Sequence, residues 1–383
     1  MMYNVLTYEE IDRSQWEKLV RESETGTWFQ TPNAYEFFAG QPELFAPFAI
    51  GMVSKSASDA GLMNEERLRG VCVGYVTQER SKLKQYLTRR AIIVGGPALA
   101  DDATSEEVQF LMEAVRKELM NEPLHSMSRK HSLLNDGLIY IETRNFNSYE
   151  QWKDAFASVG FEYVPHLNFH VDTSSAEVVD ANLGKSRKRD IKTTIREGVT
   201  ILSVNEPLHS MSRADALNEP HYVLNDEEKE RLVHEYYQIL KNLYETKVKT
   251  PLFPESFFQT LAKHKDGRLL LTEYNGKIIG GTVCVALEGK CLYEWFVCGR
   301  DGEWKAIFPS CYATYAGIKY AAEHNMPRFD MMGAGKPDEA YGVRDFKAKF
   351  GGIEVEHGRF LSVTKPLLYR LGVIGVKMLK RLK

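Results

Sequence analysis

Glu294 is a carboxylate inside an otherwise apolar run, Cys291–Cys298. A carboxylate in such a place can act as a general base; a strand residue that faces the surface is its plainer reading. Asp330, directly after Phe329, is a second candidate. Its other use is to accept backbone hydrogen bonds from the turn that contains Gly333 and Gly335. Tyr341 and Tyr293 are candidate proton donors. Basic residues gather in the stretch LGKSRKRDIKTTIREGV, where Lys185, Arg187, Lys188, Arg189, Lys192 and Arg196 meet only Asp190 and Glu197 as counter-charges. The run is helix-prone and stops at Gly198. Lys192 and Arg196 stand four apart and so share one helix face. Such a helix can bind phosphate; a solvated linker helix is its plainer reading.

The elements that must position these residues fall into two series. In the first half, Leu68–Val76 alternates as a strand, and Ala91–Val94 is a short strand stopped by Gly95-Gly96-Pro97. Ser105–Met120 repeats Val108, Leu111, Met112, Val115 and Leu119 on one helical face, with Ser105 as N-cap. A strand (Leu138–Glu142), a helix (Ser148–Val159) and a strand or strand pair (Phe161–Val171) follow. The second half repeats the order. Leu269–Tyr274 and Lys277–Leu287 flank the turn Asn275-Gly276. Then come Cys291–Cys298, the loop Gly299–Pro309, a helix from Ser310 to about residue 325, a strand at Arg328–Met332 and another near Ile353–Glu356. Glu227–Tyr244 reads as one helix. The shared order predicts a duplication at domain scale.

Composition bounds the function. The 383 residues suit two domains. With 43% hydrophobic and 26% charged residues, the chain is of the soluble globular kind. A net charge of -3 provides no whole-chain attraction for nucleic acid, so any polyanion site is a local patch. Cys72, Cys284, Cys291, Cys298 and Cys311 form no CxxC pair, which argues for reduced, packed thiols and against a structural metal. Neither a signal peptide nor a membrane span is read, and the expected location is cytoplasmic. The peptide NEPLHSMSR occurs twice, at Asn121–Arg129 and Asn205–Arg213. Pro123 and Pro207 would interrupt any element there. An inserted repeat explains the pair better than chemistry at His125 and His209.

A strand, a loop that bends away and a helix start resemble the way GNAT-type acyltransferase domains hold a phosphate-bearing donor. Here the loop is GRDGEWKAIFPS. Acetyl-CoA-dependent members usually carry Q/R-x-x-G-x-G/A at this point; bulky Trp304, Ile307 and Phe308 stand here instead. The following segment, FDMMGAGKPDEAYGVRDFKAKFGG (Phe329–Gly352), is similar to the closing pattern of the Fem family, Y/F-D-x-x-G and then F-K-x-x-F-G. Fem proteins are aminoacyl-tRNA-dependent transferases of peptidoglycan precursors. SETGTWFQT (Ser23–Thr31), GGPAL (Gly95–Leu99) and the basic helix resemble further blocks of that family, in order along the chain. No helical-hairpin arm fits after Tyr244, so the resemblance is to the armless branch.

The resemblance implies an α/β (α+β) chain of two tandem GNAT-like domains, with mixed sheets flanked by helices. The expected division is 1–175, the precursor side; 176–364, the donor side; and a basic C-terminal helix, 365–383. It implies that Lys347 contacts donor phosphate, a surface lysine being its plainer reading, and that the basic helix, with Arg187, Lys192 and Arg196, serves a tRNA or a UDP- or lipid-linked precursor; Lys349, Arg344 and Lys336 lie close to Lys347 in sequence and can share its task. The co-substrate is then an aminoacyl-tRNA, with no cofactor and no metal. The attacking group is a primary amine. With a pKa of about 10.4, fewer than one in a thousand is neutral at pH 7. The site must therefore assist deprotonation and stabilise an oxyanion. Two rivals stand beside this reading: an acyl-CoA-dependent N-acyltransferase acting on a polysaccharide or lipid amine, and a non-catalytic binding scaffold. The C-terminal run KPLLYRLGVIGVKMLKRLK is a basic amphipathic helix. Docking on the protein body is the preferred expectation for it; the alternative is peripheral contact with the inner face of the membrane.

Overall fold

The computed structural model describes residues 2–55, 66–79, 81–121, 137–206 and 224–381. Two compact units result: Met1–His166 with Glu356–Lys383, and Leu167–Val355. Each is an α/β unit built on a mixed sheet. His125, His209 and most of both NEPLHSMSR copies lie outside the described residues.

The first unit contains β1 (Met2–Thr7), β2 (Phe45–Lys55), β3 (Glu66–Thr77), β4 (Arg90–Gly95), β5 (Ala98–Leu99), β6 (Tyr140–Asn145) and β7 (Glu162–Val164). Its helices are α1 (Arg13–Glu22), α2 (Pro32–Ala39), α3 (Lys82–Thr88), α4 (Ser105–Asn121) and α5 (Lys153–Ser158). Val108, Leu111, Met112 and Val115 of α4 are fully buried on the sheet, as their spacing predicts. β4 and β6 run parallel and pair over their full length, from Arg90↔Tyr140 to Gly95↔Asn145. The two motif blocks of this half interlock. Thr25 Oγ1 accepts from the Leu99 amide at 2.9 Å. The Gln30 side chain is inserted between β3 and β4: it donates to Val73 O (3.0 Å) and Val94 O (2.8 Å) and accepts from Val73 N (2.7 Å). At Gly96 (φ 75°) a β-carbon would lie 2.5 Å from the Tyr149 hydroxyl, so only glycine fits.

The second unit contains β8 (Leu167–Asp172), β9 (Thr200–Ser203), β10 (Gly267–Tyr274), β11 (Lys277–Leu287), β12 (Cys291–Gly299), β13 (Arg328–Gly333) and β14 (Ile353–Glu356). Its helices are α6 (Ala176–Asn182), α7 (Lys185–Arg196), α8 (Asp226–Leu243), α9 (Glu255–Lys263), α10 (Pro309–Glu323) and α11 (Gly342–Ala348). The sheet order is β14-β8-β13-β12-β11-β10-β9. Asn275 and Gly276 both adopt positive φ, as the hairpin turn requires. Asn225 and Glu228 form a capping box that starts α8.

The chain then forms β15 (Arg359–Val363) and α12 (Pro366–Arg381). β15 enters the first sheet between β6 and β7, completing the order β1-β2-β3-β4-β6-β15-β7. β8 holds the matching place beside β13 in the second sheet. The unit boundary therefore falls at His166/Leu167, not at 175/176. The stretch from Glu356 onward, including Arg359–Val363, belongs to the first unit rather than the second. This cross-wiring rests on long-range strand pairing, which local pattern does not encode.

Candidate active site

β12 and β13 pair in parallel over three residues only, Cys291↔Arg328, Leu292↔Phe329 and Tyr293↔Asp330. β12 nonetheless runs on to Gly299 and β13 to Gly333. On the other side, β12 stays paired with β11 through a bulge, in which Trp295 is the extra residue between Cys284↔Glu294 and Val283↔Phe296. Glu294 thus stands at the point where the parallel strands part. The first unit has no such opening, because β4 and β6 pair over all six residues.

Glu294 is 4% exposed. Thr282 Oγ1 donates to its Oε1 at 3.4 Å. Burial pushes its carboxyl up to about 7, against the opposing pull of the Lys347 ammonium and the Thr314 and Thr282 hydroxyls. This value suits a base working near neutral pH.

Lys347 projects from the short α11 into the end of β13. Its Nζ donates to Gly333 O (2.9 Å) and Met332 O (3.4 Å), and also to Met331 O. Met332 has φ 57°, a left-handed conformation that costs a non-glycine residue roughly 1–3 kcal/mol. Burial pulls the Lys347 pKa down, opposed by Glu294 and Asp330. All three N–H bonds of this ammonium are taken by carbonyls. The expected donor-phosphate contact therefore has no free donor behind it in this arrangement.

Asp330 is fully buried. Its Oδ1 accepts from the Met332 amide at 2.7 Å, and its Oδ2 lies 3.2 Å from His170 Nε2. Burial would raise this carboxyl, but His170, Arg328 and the Met332 amide outweigh it and hold it below the ordinary range. A carboxylate so held pins the turn and is a weak proton acceptor. Tyr293 is buried with its hydroxyl 3.5 Å from Arg328 Nη2, and burial pushes it well above the ordinary tyrosine range. Tyr341 is 44% exposed and packs its ring beneath Gly335. It neighbours Tyr244, whose hydroxyl burial, helped by Tyr341, pushes up to about 12.

The remaining expected cations separate into two groups. Arg344 tethers the glycine-rich loop, donating to Ala334 O (3.2 Å), Pro337 O (3.4 Å) and Lys336 O. Arg187 lies over the rings of Phe346 (4.5 Å) and Phe350 (5.0 Å) and contacts Asp190 at 3.4 Å. The F-K-x-x-F-G motif and the basic helix α7 are therefore one packed assembly. Lys192, Arg196, Lys336 and Lys349 face solvent, and Lys336 approaches Glu339 at 3.7 Å. Of the expected cations, Lys192, Arg196 and Lys349 are thus the exposed ones best placed to meet a polyanion.

Sequence reading missed the partners that tune these groups: Thr282, Thr314 and His170. It also missed Asp301. The Asp301 carboxylate accepts from the Ser310 amide at 3.0 Å, and Thr194 Oγ1 accepts from the Phe308 amide at 3.2 Å. At the α10 start, where a donor phosphate would sit in a GNAT domain, the Ser310 amide is thus already taken by the protein's own Asp301. Ile307 is buried and Trp304 packs on Tyr274 at 5.9 Å, so the bulky loop residues belong to the core. No local sequence signal marks Asp301, because its target lies nine residues away.

Residues 210–347 match the acetyltransferase (GNAT) domain family. FemX has a similar structure over 97% of this chain and 99% of its own, with a TM-score of 0.63 at 12% identity. The C-terminal domain of a protein described as a lysylphosphatidylglycerol synthetase, from Agrobacterium fabrum, is similar over 95% of both chains, with a TM-score of 0.52 at 11% identity. A comparison with curated proteins finds no match. The tandem fold, the opened β12–β13 pair and the matched segment converge: the chain shares its two-unit fold with FemX, and the stretch of its second unit that holds the opened pair matches the acetyltransferase (GNAT) domain family.

Proposed function

We propose that the protein moves an amino acid from an aminoacyl-tRNA to a primary amine of a peptidoglycan precursor, forming an amide. The observation that carries this reading is the second unit's opened strand pair, with Glu294 at its mouth and the α10 start already capped by Asp301. A pyrophosphate-bearing donor such as CoA would have to displace that carboxylate. An aminoacyl ester on a tRNA end needs no pyrophosphate pocket there, and exposed Lys192 and Arg196 suit its backbone. The resemblance of the motif blocks to the Fem family supports the same donor, and the name of the Agrobacterium fabrum neighbour is that of an aminoacyl-transferring protein.

In this reaction the amine nitrogen attacks the ester carbonyl and Glu294 takes its proton. The tetrahedral oxyanion is met by backbone amides freed where β12 and β13 part. Collapse breaks the ester C–O bond, and Glu294 returns its proton to the leaving oxygen, releasing the tRNA hydroxyl and restoring the carboxylate. The first unit, with its equivalent strands closed, is the precursor side.

The family match at residues 210–347 favours one rival, an acyl-CoA donor. The test is incubation with charged total tRNA and a purified precursor pool, read by mass spectrometry. A precursor mass gain of one amino-acid residue is expected, along with no thermal shift on adding acetyl-CoA or longer acyl-CoAs. Firm stabilisation by CoA without that mass gain overturns the proposal.

A further inference from the structure

The apolar stripe of α12 faces away from its own unit. Leu367, Leu371, Ile374 and Met378 recur at i, i+4, i+7 and i+11, and are 77%, 64%, 50% and 59% exposed. The helix is held from its other side, where Tyr369 packs edge-on against Tyr140 of β6 at 5.5 Å. The neighbouring α3 has the same character. Leu83 and Leu87, one turn apart, are 64% and 49% exposed, and Lys365 lies 5.1 Å from the Tyr86 ring between them in sequence. Exposed leucines so grouped on two adjoining helices mark a contact surface.

The charge around the stripe selects what it contacts. From Lys365 to Lys383 the sequence has no Asp or Glu, while Lys365, Arg370, Lys377, Lys380, Arg381 and Lys383 all fall there. α3 adds exposed Lys82 and Lys84, the latter paired with Glu79 at 3.3 Å. A second copy of the chain would bring the same positive charge to this face and be repelled. We propose that α12 and α3 form a docking surface for an anionic lipid bilayer. The leucines enter the headgroup–acyl boundary and the bases meet lipid phosphates. Among the described residues no helix is long and apolar enough to cross a membrane, so the protein lies on the bilayer through this face. The surface is built from the first unit and Glu294 belongs to the second, and this proposal does not depend on the reaction proposed above.

The test is co-sedimentation of the full chain with vesicles of phosphatidylcholine containing about a quarter phosphatidylglycerol, against pure phosphatidylcholine. Anionic vesicles should bind at least about tenfold more protein, and added salt should reduce this. Leu371→Glu with Ile374→Glu should cut binding about tenfold. Leu83→Glu should cut it about threefold, with the melting temperature unchanged in each case. Lys377→Glu with Lys380→Glu reads the charge term without touching the leucines. Equal binding to neutral and anionic vesicles, or unaltered binding by these variants, overturns the proposal. So does a dimer, seen by light scattering, that Ile374→Glu dissolves.

Discussion

At Glu294, activity and stability should respond to pH in opposite directions. Its carboxyl ionises near pH 7 in the fold, against 4.5 for an ordinary glutamate. Between those values the folded protein keeps a proton that the unfolded chain has lost. This contribution to stability is complete below pH 4.5 and is lost as pH rises through 7. A base must be ionised, so the rate rises over the same interval. Glu294→Gln should lower kcat by about 10²–10⁴ and flatten both profiles. A pH–rate curve and melts at several pH values check this; a variant that keeps its activity removes Glu294 from the mechanism. Lys347 tests the same geometry from the other side. Lys347→Met leaves three carbonyls without their donor, and should lower stability by roughly 1–3 kcal/mol. It also removes a positive partner of Glu294, so the acid limb of the rate profile should move to higher pH. An unmoved limb together with weakened tRNA binding would restore the phosphate role that the motif first suggested.

Among the elements, α7 divides its labour by face. Arg187 is packed on Phe346 and Phe350, whereas Lys192 and Arg196 point to solvent. Lys192→Glu with Arg196→Glu should therefore weaken tRNA binding and its salt dependence without changing the melting temperature. Arg187→Ala should lower the melting temperature. Filter binding over a salt series and thermal melts separate the two outcomes. Helical and strand periodicity made most such elements legible in advance. The buried face of α4 and the bounds of β11 follow from spacing alone. The cation-rich stretches were legible as charge but not as contacts. Whether a lysine reaches phosphate or three carbonyls depends on backbone turned at Met332, and nothing in the side-chain pattern signals a left-handed methionine. Thr282 and Thr314 were equally silent, because a threonine that tunes a carboxylate looks like one that only fills a strand or a helix.

For the whole molecule, the tandem order was legible and the cross-wiring was not. A short strand such as Arg359–Val363 carries no address for a partner more than two hundred residues earlier. Its energetic weight is nevertheless large. Phe360 is fully buried and stacks on Phe156 at 3.9 Å, inside the first unit. Phe360→Ala should cost about 3–5 kcal/mol and destabilise the N-terminal half, although the substitution lies near the C-terminus. Limited proteolysis should then cut first within residues 2–166; cleavage confined to residues 167–355 would contradict the assignment.

The late arrival of β15 also sets an order for synthesis. The second unit is one continuous stretch, Leu167–Val355, whereas the first needs residues from both ends of the chain. A nascent polypeptide leaving the ribosome can finish its later half first. The earlier half must wait, one strand short, until Arg359–Val363 has been made. Folding of this protein should thus run against the direction in which it is made, with the incomplete N-terminal sheet the stretch most in need of a chaperone.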